Sequence, residues 1–203
     1  MLQISTITPD TLELLKKLQS MPELAETRLV GGTALALLLG HRLSIDLDLF
    51  GKIDQEVTTR ALQEQNFKNF EILSESKAIK HYMINDVKVD IVKYDYYSWL
   101  EEMIVENGIR LAGLKDIAAM KIGAITNRGS RKDFIDLFFL LKQFNMKEIL
   151  EFYQTKYPDH SIRATIQSLS YFIDAEKEDM PKMLIPVTWN EMKKQIIDEV
   201  KKL

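Results

Sequence analysis

Apolar residues recur every third or fourth position along most of this chain and every second position along a few short runs. These two periods separate helices from strands. TPDTLELLKKLQSM reads as a helix with Thr8 as N-cap and Pro9 at the first helical position. TRLVGG reads as a short strand ending in two glycines, and TALALLLG (33–40) as a compact apolar helix stopped by Gly40. LSIDLDLFG (43–51) alternates, which predicts a strand with Ile45, Leu47 and Leu49 on one face and Asp46 and Asp48 on the other. DQEVTTRALQEQNF predicts a helix capped by Asp54, and FEILSES and KHYMI predict strands. KHYMI runs through Asn85-Asp86 into the alternating VKVDIVKY, a link of hairpin length.

From about Gly108 the period becomes helical. GLKDIAAMKIGAITNRG predicts one helix with Gly129 beyond its end, and SRKDFIDLFFLLKQF a second with Ser130 as N-cap. NMKEILEFYQTKYP, HSIRATIQSLSYFIDAEKED and TWNEMKKQIIDEVKKL continue the series. Asn145-x-x-Glu148 and Thr188-x-x-Glu191 match the cap-plus-acid signature of helix starts. MPKMLIP reads as a linker. The layout expected is an α/β unit over 1–109 and a helical unit over 110–203.

Composition narrows the class. At 203 residues, 46% hydrophobic and 28% charged, the chain can bury an ordinary core. Without cysteine it can form neither disulfides nor thiolate metal sites. No apolar run is long enough to span a membrane, and MLQISTITPD lacks the blocks of a signal peptide. A cytoplasmic protein with no membrane contact is the expectation. A net charge of −3 excludes a generally basic surface, so nucleic acid would have to meet a local patch. Arg128, Arg131 and Lys132 are the one dense basic cluster, either a solvated helix junction or a phosphate contact.

Three features supply different parts of one reaction. Gly31-Gly32-Thr33 stands where a strand becomes a helix, where bare backbone N–H groups and the helix dipole favour phosphate. Asp46-x-Asp48 places two carboxylates about 6.5–7 Å apart along a strand, enough to hold a divalent ion. Asp90 interrupts VKVDIV on the face opposite Val87, Val89 and Ile91, where it can complete a metal clamp or orient a hydroxyl. Each alone also reads as a tight turn or a solvated strand face.

GGTALALLLGHRLSIDLDLF resembles the signature of the nucleotidyltransferase fold as found in AbiEii/AbiGii-type toxins. VKVDIV and KDIAAMKIGAITNRGSRKDFIDLFFLL extend the resemblance over roughly residues 25–145. It implies an α+β fold, with a minimal polymerase β-like mixed sheet and flanking helices followed by a C-terminal helical bundle. It also implies Mg²⁺ (or Mn²⁺), an NTP substrate, an RNA acceptor such as tRNA, and a partner antitoxin. By the same resemblance Asp46, Asp48 and Asp90 are the metal ligands, and Gly31, Gly32 and Thr33 form the phosphate loop. Lys121 and Asp133 match the later lysine and aspartate of the catalytic set. Read from their own positions, Arg42 and Ser44 after the first helix, and Arg128 and Lys132 of the basic cluster, are expected at the nucleotide. From the residues themselves, Lys121 either reaches the triphosphate or snorkels to solvent, and Asp133 equally suits a helix first turn. Asp136 is read as structural, paired with Lys132 one turn away, and His160 as a surface residue.

Small-molecule adenylylation, a D-x-D glycosyltransferase and a non-catalytic nucleotide-binding regulator are the rival functions. One expectation comes from strand register alone. If Asn85-Asp86 is a two-residue turn, counting outward sets His81 opposite Asp90 on the same face of the sheet.

Overall fold

The structure is a computed structural model that describes all of Met1–Leu203. Helix α1 (Pro9–Ser20) starts as its sequence dictates, with the Thr8 hydroxyl accepting from the Thr11 N–H. It leads into β1 (Thr27–Val30), α2 (Gly31–Leu39), β2 (Leu47–Gly51) and α3 (Gln55–Gln63). Strands β3 (Phe70–Glu75), β4 (Ile79–Ile84) and β5 (Val87–Lys93) follow, then the short β6 (Ile104–Glu106) and β7 (Ile109–Leu111). Helices α4 (Leu114–Asn127), α5 (Arg131–Leu140), α6 (Met146–Lys156), α7 (Ile162–Ser168) and α8 (Trp189–Val200) complete the chain.

The seven strands form one mixed sheet in the order β3-β4-β5-β2-β1-β7-β6. Alternation assigns its two faces. Leu29, Leu47, Leu49, Tyr82, Val89 and Ile91 are all fully buried on one side. Tyr82 is held there by a hydrogen bond of 2.8 Å with Thr59 of α3. Val30, Asp48, Phe50, His81 and Asp90 lie on the other side, and line a cleft with residues of α4.

Four expectations change. Ile45 is 57% exposed rather than part of an apolar face, because β2 begins only at Leu47. Residues 43 and 44 instead donate their N–H groups to the carbonyls of Lys182 and Thr6. Helix α2 starts at Gly31, two residues earlier than the apolar run suggests. The boundary expected between 109 and 110 falls inside β7, which pairs in parallel with β1. One hydrophobic cluster runs from Leu2 to Ile196, and α4 packs on both α2 and α6. The MPKMLIP stretch is more than a linker, since Met183 bridges Arg42.

Candidate active site

Strand pairing sets two of the three aspartates side by side. β2 and β5 run in parallel with Asp48 opposite Asp90, so both carboxylates leave the same face of adjacent strands. On its other flank Asp48 pairs with Val30, the last residue of β1. The chain then turns sharply into α2 through Gly31, whose φ is +68°. A Cβ on Gly31 would lie 2.2 Å from Asp48 Oδ2, so only glycine lets the helix start this close to the carboxylate. A Cβ on Gly32 would likewise lie 2.2 Å from Arg42 Nη2. Asp46 sits one residue before β2, and with Asp48, Asp90, Lys121, Arg128 and Lys132 it borders one wholly polar chamber.

Thr33 and Ser44 also border that chamber, but their hydroxyls are engaged. Thr33 Oγ1 donates to the Asp46 carbonyl and lies 2.8 Å from Ser44 Oγ. Their work is to pin the segment that carries Asp46. The donors left at this corner are the first-turn N–H groups of α2, which have no partner inside the helix and suit an anion.

The hairpin expectation holds residue by residue. Asn85 and Asp86 both adopt positive φ, +51° and +63°, as a two-residue turn of this type requires. His81 is therefore opposite Asp90, and its Nδ1 lies 2.7 Å from Asp90 Oδ1. Lys88 Nζ stands 3.5 Å from Asp90 Oδ2. The sequence yields His81 only through this counting.

Lys121 neither snorkels nor points freely at the chamber. It is buried at the centre of an ion-pair network, 3.0 Å from Asp133 Oδ1 and 2.7 Å from Asp136 Oδ2. Arg128 and Ser130 also donate to Asp133. Arg42 donates to both oxygens of Asp136, at 2.7 and 2.9 Å, and His41 shares one of them. Asp136 thus pairs with partners from residues 41, 42 and 121 instead of with Lys132. Its burial on α5 is what makes these long-range cations necessary. Ser130 stands at the N-cap position of α5, yet its hydroxyl serves Asp133 rather than a backbone N–H.

The titration behaviour of the two carboxylate groups diverges. Burial would raise Asp133 and Asp136, but Lys121 with Arg128 or Arg42 outweighs it and holds both well below the usual carboxylate range. For Lys121 burial works downward, and the two aspartates overcome it to hold the ammonium above its ordinary value. Asp48 goes the other way. Burial, the charge of Asp90 and, after a partial offset by Lys121, that of Asp46 push it up to about 6. Negative charge gathers at Asp46, Asp48 and Asp90 without full compensation.

That imbalance, with the space Gly31 leaves at Asp48, is how the residues fit a divalent cation. No three His, Asp or Glu side chains are gathered closely enough to hold one ion between them, so Asp46, Asp48 and Asp90 do not form a three-carboxylate metal site as they stand. A Mg²⁺-type site does not need three, since it takes one or two carboxylates and fills the rest with phosphate and water.

A second, larger space adjoins the chamber. A cleft of about 420 Å³ shares Asp48, Asp90, Lys121 and Arg128 with it, and continues past His81 to Phe50, Tyr97, Tyr157 and His160. Tyr97 meets Tyr157 edge-on at 4.8 Å, and His160 stacks on Tyr157 at 5.3 Å. Tyr153 lies 2.8 Å from His160 Nδ1 and fixes its ring, so His160 is an exposed residue that also walls the cleft. These aromatics come from a loop and from the end of α6, with no periodic pattern to mark them in the sequence. Arg131 turns away, donating to the carbonyls of Ala175 and Glu176, so the basic cluster divides between site and scaffold.

Comparison with known proteins gives the family and the fold. A family model described as "Nucleotidyl transferase AbiEii toxin, Type IV TA system" matches residues 13–202. An uncharacterised protein of Aquifex aeolicus (strain VF5) is 36% identical over 172 residues, covering 82% of this chain and 83% of its own. The crystal structure of JHP933 from Helicobacter pylori has a TM-score of 0.61 at 20% identity, over 97% of this chain and 92% of that one. MenT4, the nucleotidyltransferase toxin Rv2826c from Mycobacterium tuberculosis H37Rv, has a TM-score of 0.57 at 13% identity, over 94% of this chain and 81% of its own. These likenesses are of fold, a mixed sheet with flanking helices. No helix here is long and apolar enough to cross a membrane. A chain matched over nearly its whole length by that family model, with paired aspartates set against a glycine-opened helix start, belongs to the AbiEii nucleotidyltransferase toxin family and is a nucleotidyltransferase.

Proposed function

We propose that this protein transfers an NMP from an NTP to a hydroxyl on RNA, with tRNA the acceptor the family suggests, as the toxin of a type IV toxin–antitoxin pair in the cytoplasm. The observation that carries the chemistry is the uncompensated charge at Asp46, Asp48 and Asp90 beside the polar chamber. Asp46 and Asp48 would hold Mg²⁺ or Mn²⁺, with Asp90, tied to His81 and Lys88, contributing beside them. When bound there, such an ion would supply the positive charge that offsets the triphosphate and the leaving group. The first turn of α2 at Gly31, Gly32 and Thr33 receives phosphate oxygens, and Lys132, Lys88 and Arg128 surround the rest of the chamber.

In the transfer the acceptor oxygen bonds to the α-phosphorus and its proton passes to Asp90. The bond from that phosphorus to the bridging oxygen breaks, and pyrophosphate leaves with the electron pair. Lys121 and Arg128 border the reacting phosphate, while Asp133 and Asp136 hold Lys121 in place and charged. Arg42 is a positioning residue, locked between Gly32 and Asp136.

Incubation of the protein with each α-labelled NTP, Mg²⁺ and total RNA tests this reading. Label on RNA that disappears with Asp48→Asn supports it; label on an aminoglycoside alone, or on nothing, overturns it.

A further inference from the structure

The cleft beside Asp90 has a lining the polar chamber lacks, and this inference about it rests on the transfer proposed above. Its walls carry Phe50, Tyr97, Tyr157 and His160, and its only carboxylates are Asp48 and Asp90. Its volume of about 420 Å³ lies within the ordinary range of small-ligand sites.

Geometry assigns its occupant. In a displacement at phosphorus the attacking and leaving oxygens lie roughly in line. The chamber bordered by Thr33, Arg42, Lys88 and Lys132 is the polar side, suited to the leaving pyrophosphate. The attacking hydroxyl then approaches from the other space that Asp48 and Asp90 border, the aromatic cleft. Its lining also selects the chemistry. A polycationic sugar needs carboxylates to meet its ammonium groups, yet away from Asp48 and Asp90 the cleft offers rings, imidazoles, aliphatic carbon, the Asn127 amide and the cations Lys121 and Arg128. Aromatic faces are the recurring platform for unpaired bases, because every base has a π-face.

We infer that this cleft binds the terminal unpaired nucleobase of the acceptor strand, stacked against the Tyr97–Tyr157–His160 cluster, with the strand's hydroxyl presented at Asp90.

The test uses the full chain and two variants on different elements, Tyr97→Leu and His160→Ala, with folding checked by circular dichroism. The probe is a short single-stranded RNA ending in 2-aminopurine, whose fluorescence falls when its base stacks. Wild type should quench it, and Tyr97→Leu should weaken binding by about tenfold or more, with a smaller loss for His160→Ala. Binding of a fluorescent Mg²⁺–NTP analogue should stay within about twofold, so that the RNA term in KM rises while that for NTP holds. Loss of NTP affinity with RNA binding intact would overturn the inference and place the NTP's base in the cleft. RNA labelling with no quench, or with neither variant affecting it, would overturn it as well. Quench that depends on Tyr97, in a protein that labels no RNA, would uphold the cleft's ligand class while sinking the reaction proposed above.

Discussion

Two carboxylate clusters lie within one site, and they are built in opposite ways. Asp133 and Asp136 are fully buried, but Lys121, Arg128, Arg42, Ser130 and His41 satisfy them and keep them ionised. Asp46, Asp48 and Asp90 receive only Lys88 and His81, both on Asp90, and Asp48 is left with a raised pKa of about 6. The first cluster is a finished structural unit that fixes α2, α4 and α5 together. The second is left open to the cation that the proposed reaction would bring. A protein that needed these acids solely for its fold would have balanced both.

The largest expected effect is on the finished cluster. Lys121→Ala or Asp136→Asn leaves uncompensated charge in the interior and should destabilise the fold by about 3–5 kcal/mol in urea unfolding at neutral pH. A Lys121 that snorkelled to solvent, one of the two readings of the sequence, would have had little effect on folding. Stability unchanged within about 0.5 kcal/mol would mean that water reaches the network and that it is no structural unit.

Next comes the partner of Asp90. His81 fixes one of its oxygens, and removing such an orienting group at a metal site typically lowers affinity or activity by about 10–100-fold. His81→Ala should therefore lower transfer by that factor with the unfolding midpoint nearly unchanged. Full activity in this variant would make the pair an incidental surface contact.

A smaller effect has the opposite sign. Asp48 is raised in the folded state, so the native protein holds a proton there that the unfolded chain has already lost between pH about 4 and 6. Its ionisation penalises the fold above pH 6, and the penalty fades as pH falls toward 4. Asp48→Asn should therefore abolish transfer yet stabilise the metal-free protein by about 1–2 kcal/mol at pH 7.5, with no gain near pH 4. Equal stability at both pH values would remove the charge imbalance from the account.

The smallest effect tests the corrected pairing. Lys132 is exposed and Asp136 is paired elsewhere, so Lys132→Ala should alter stability by less than about 0.5 kcal/mol. A loss above about 1 kcal/mol would restore the local i,i+4 pair.

What the sequence disclosed follows the range of the forces involved. Caps at Thr8, Asp54, Asn145 and Thr188 are local chemistry, and all four side chains accept the expected backbone N–H groups. The His81–Asp90 pair was legible because turn length and register are local too. Asp136 was not, since two of its partners lie 94 and 95 residues away, the third is on the preceding helix, and the nearer Lys132 offered a plausible substitute. Ile45 misled because its alternation continued one step past the strand, into a segment held by Thr6 and Lys182. Strands β6 and β7 have three residues each and exist through pairing with each other and, for β7, with β1. The aromatic wall joins a loop to a helix end, and no period links them.

The central claim is that Asp46, Asp48 and Asp90 form an unfinished charge cluster completed by a metal–nucleotide complex. Unfolding free energy measured with and without Mn²⁺ and a non-hydrolysable NTP analogue tests it most directly. With the complex at about 100 times its Kd, wild type should gain about 2.7 kcal/mol, and Asp48→Asn should gain almost nothing. Equal gains in the two proteins would contradict the claim, because the ligand would then bind without the carboxylate that the fold leaves uncompensated.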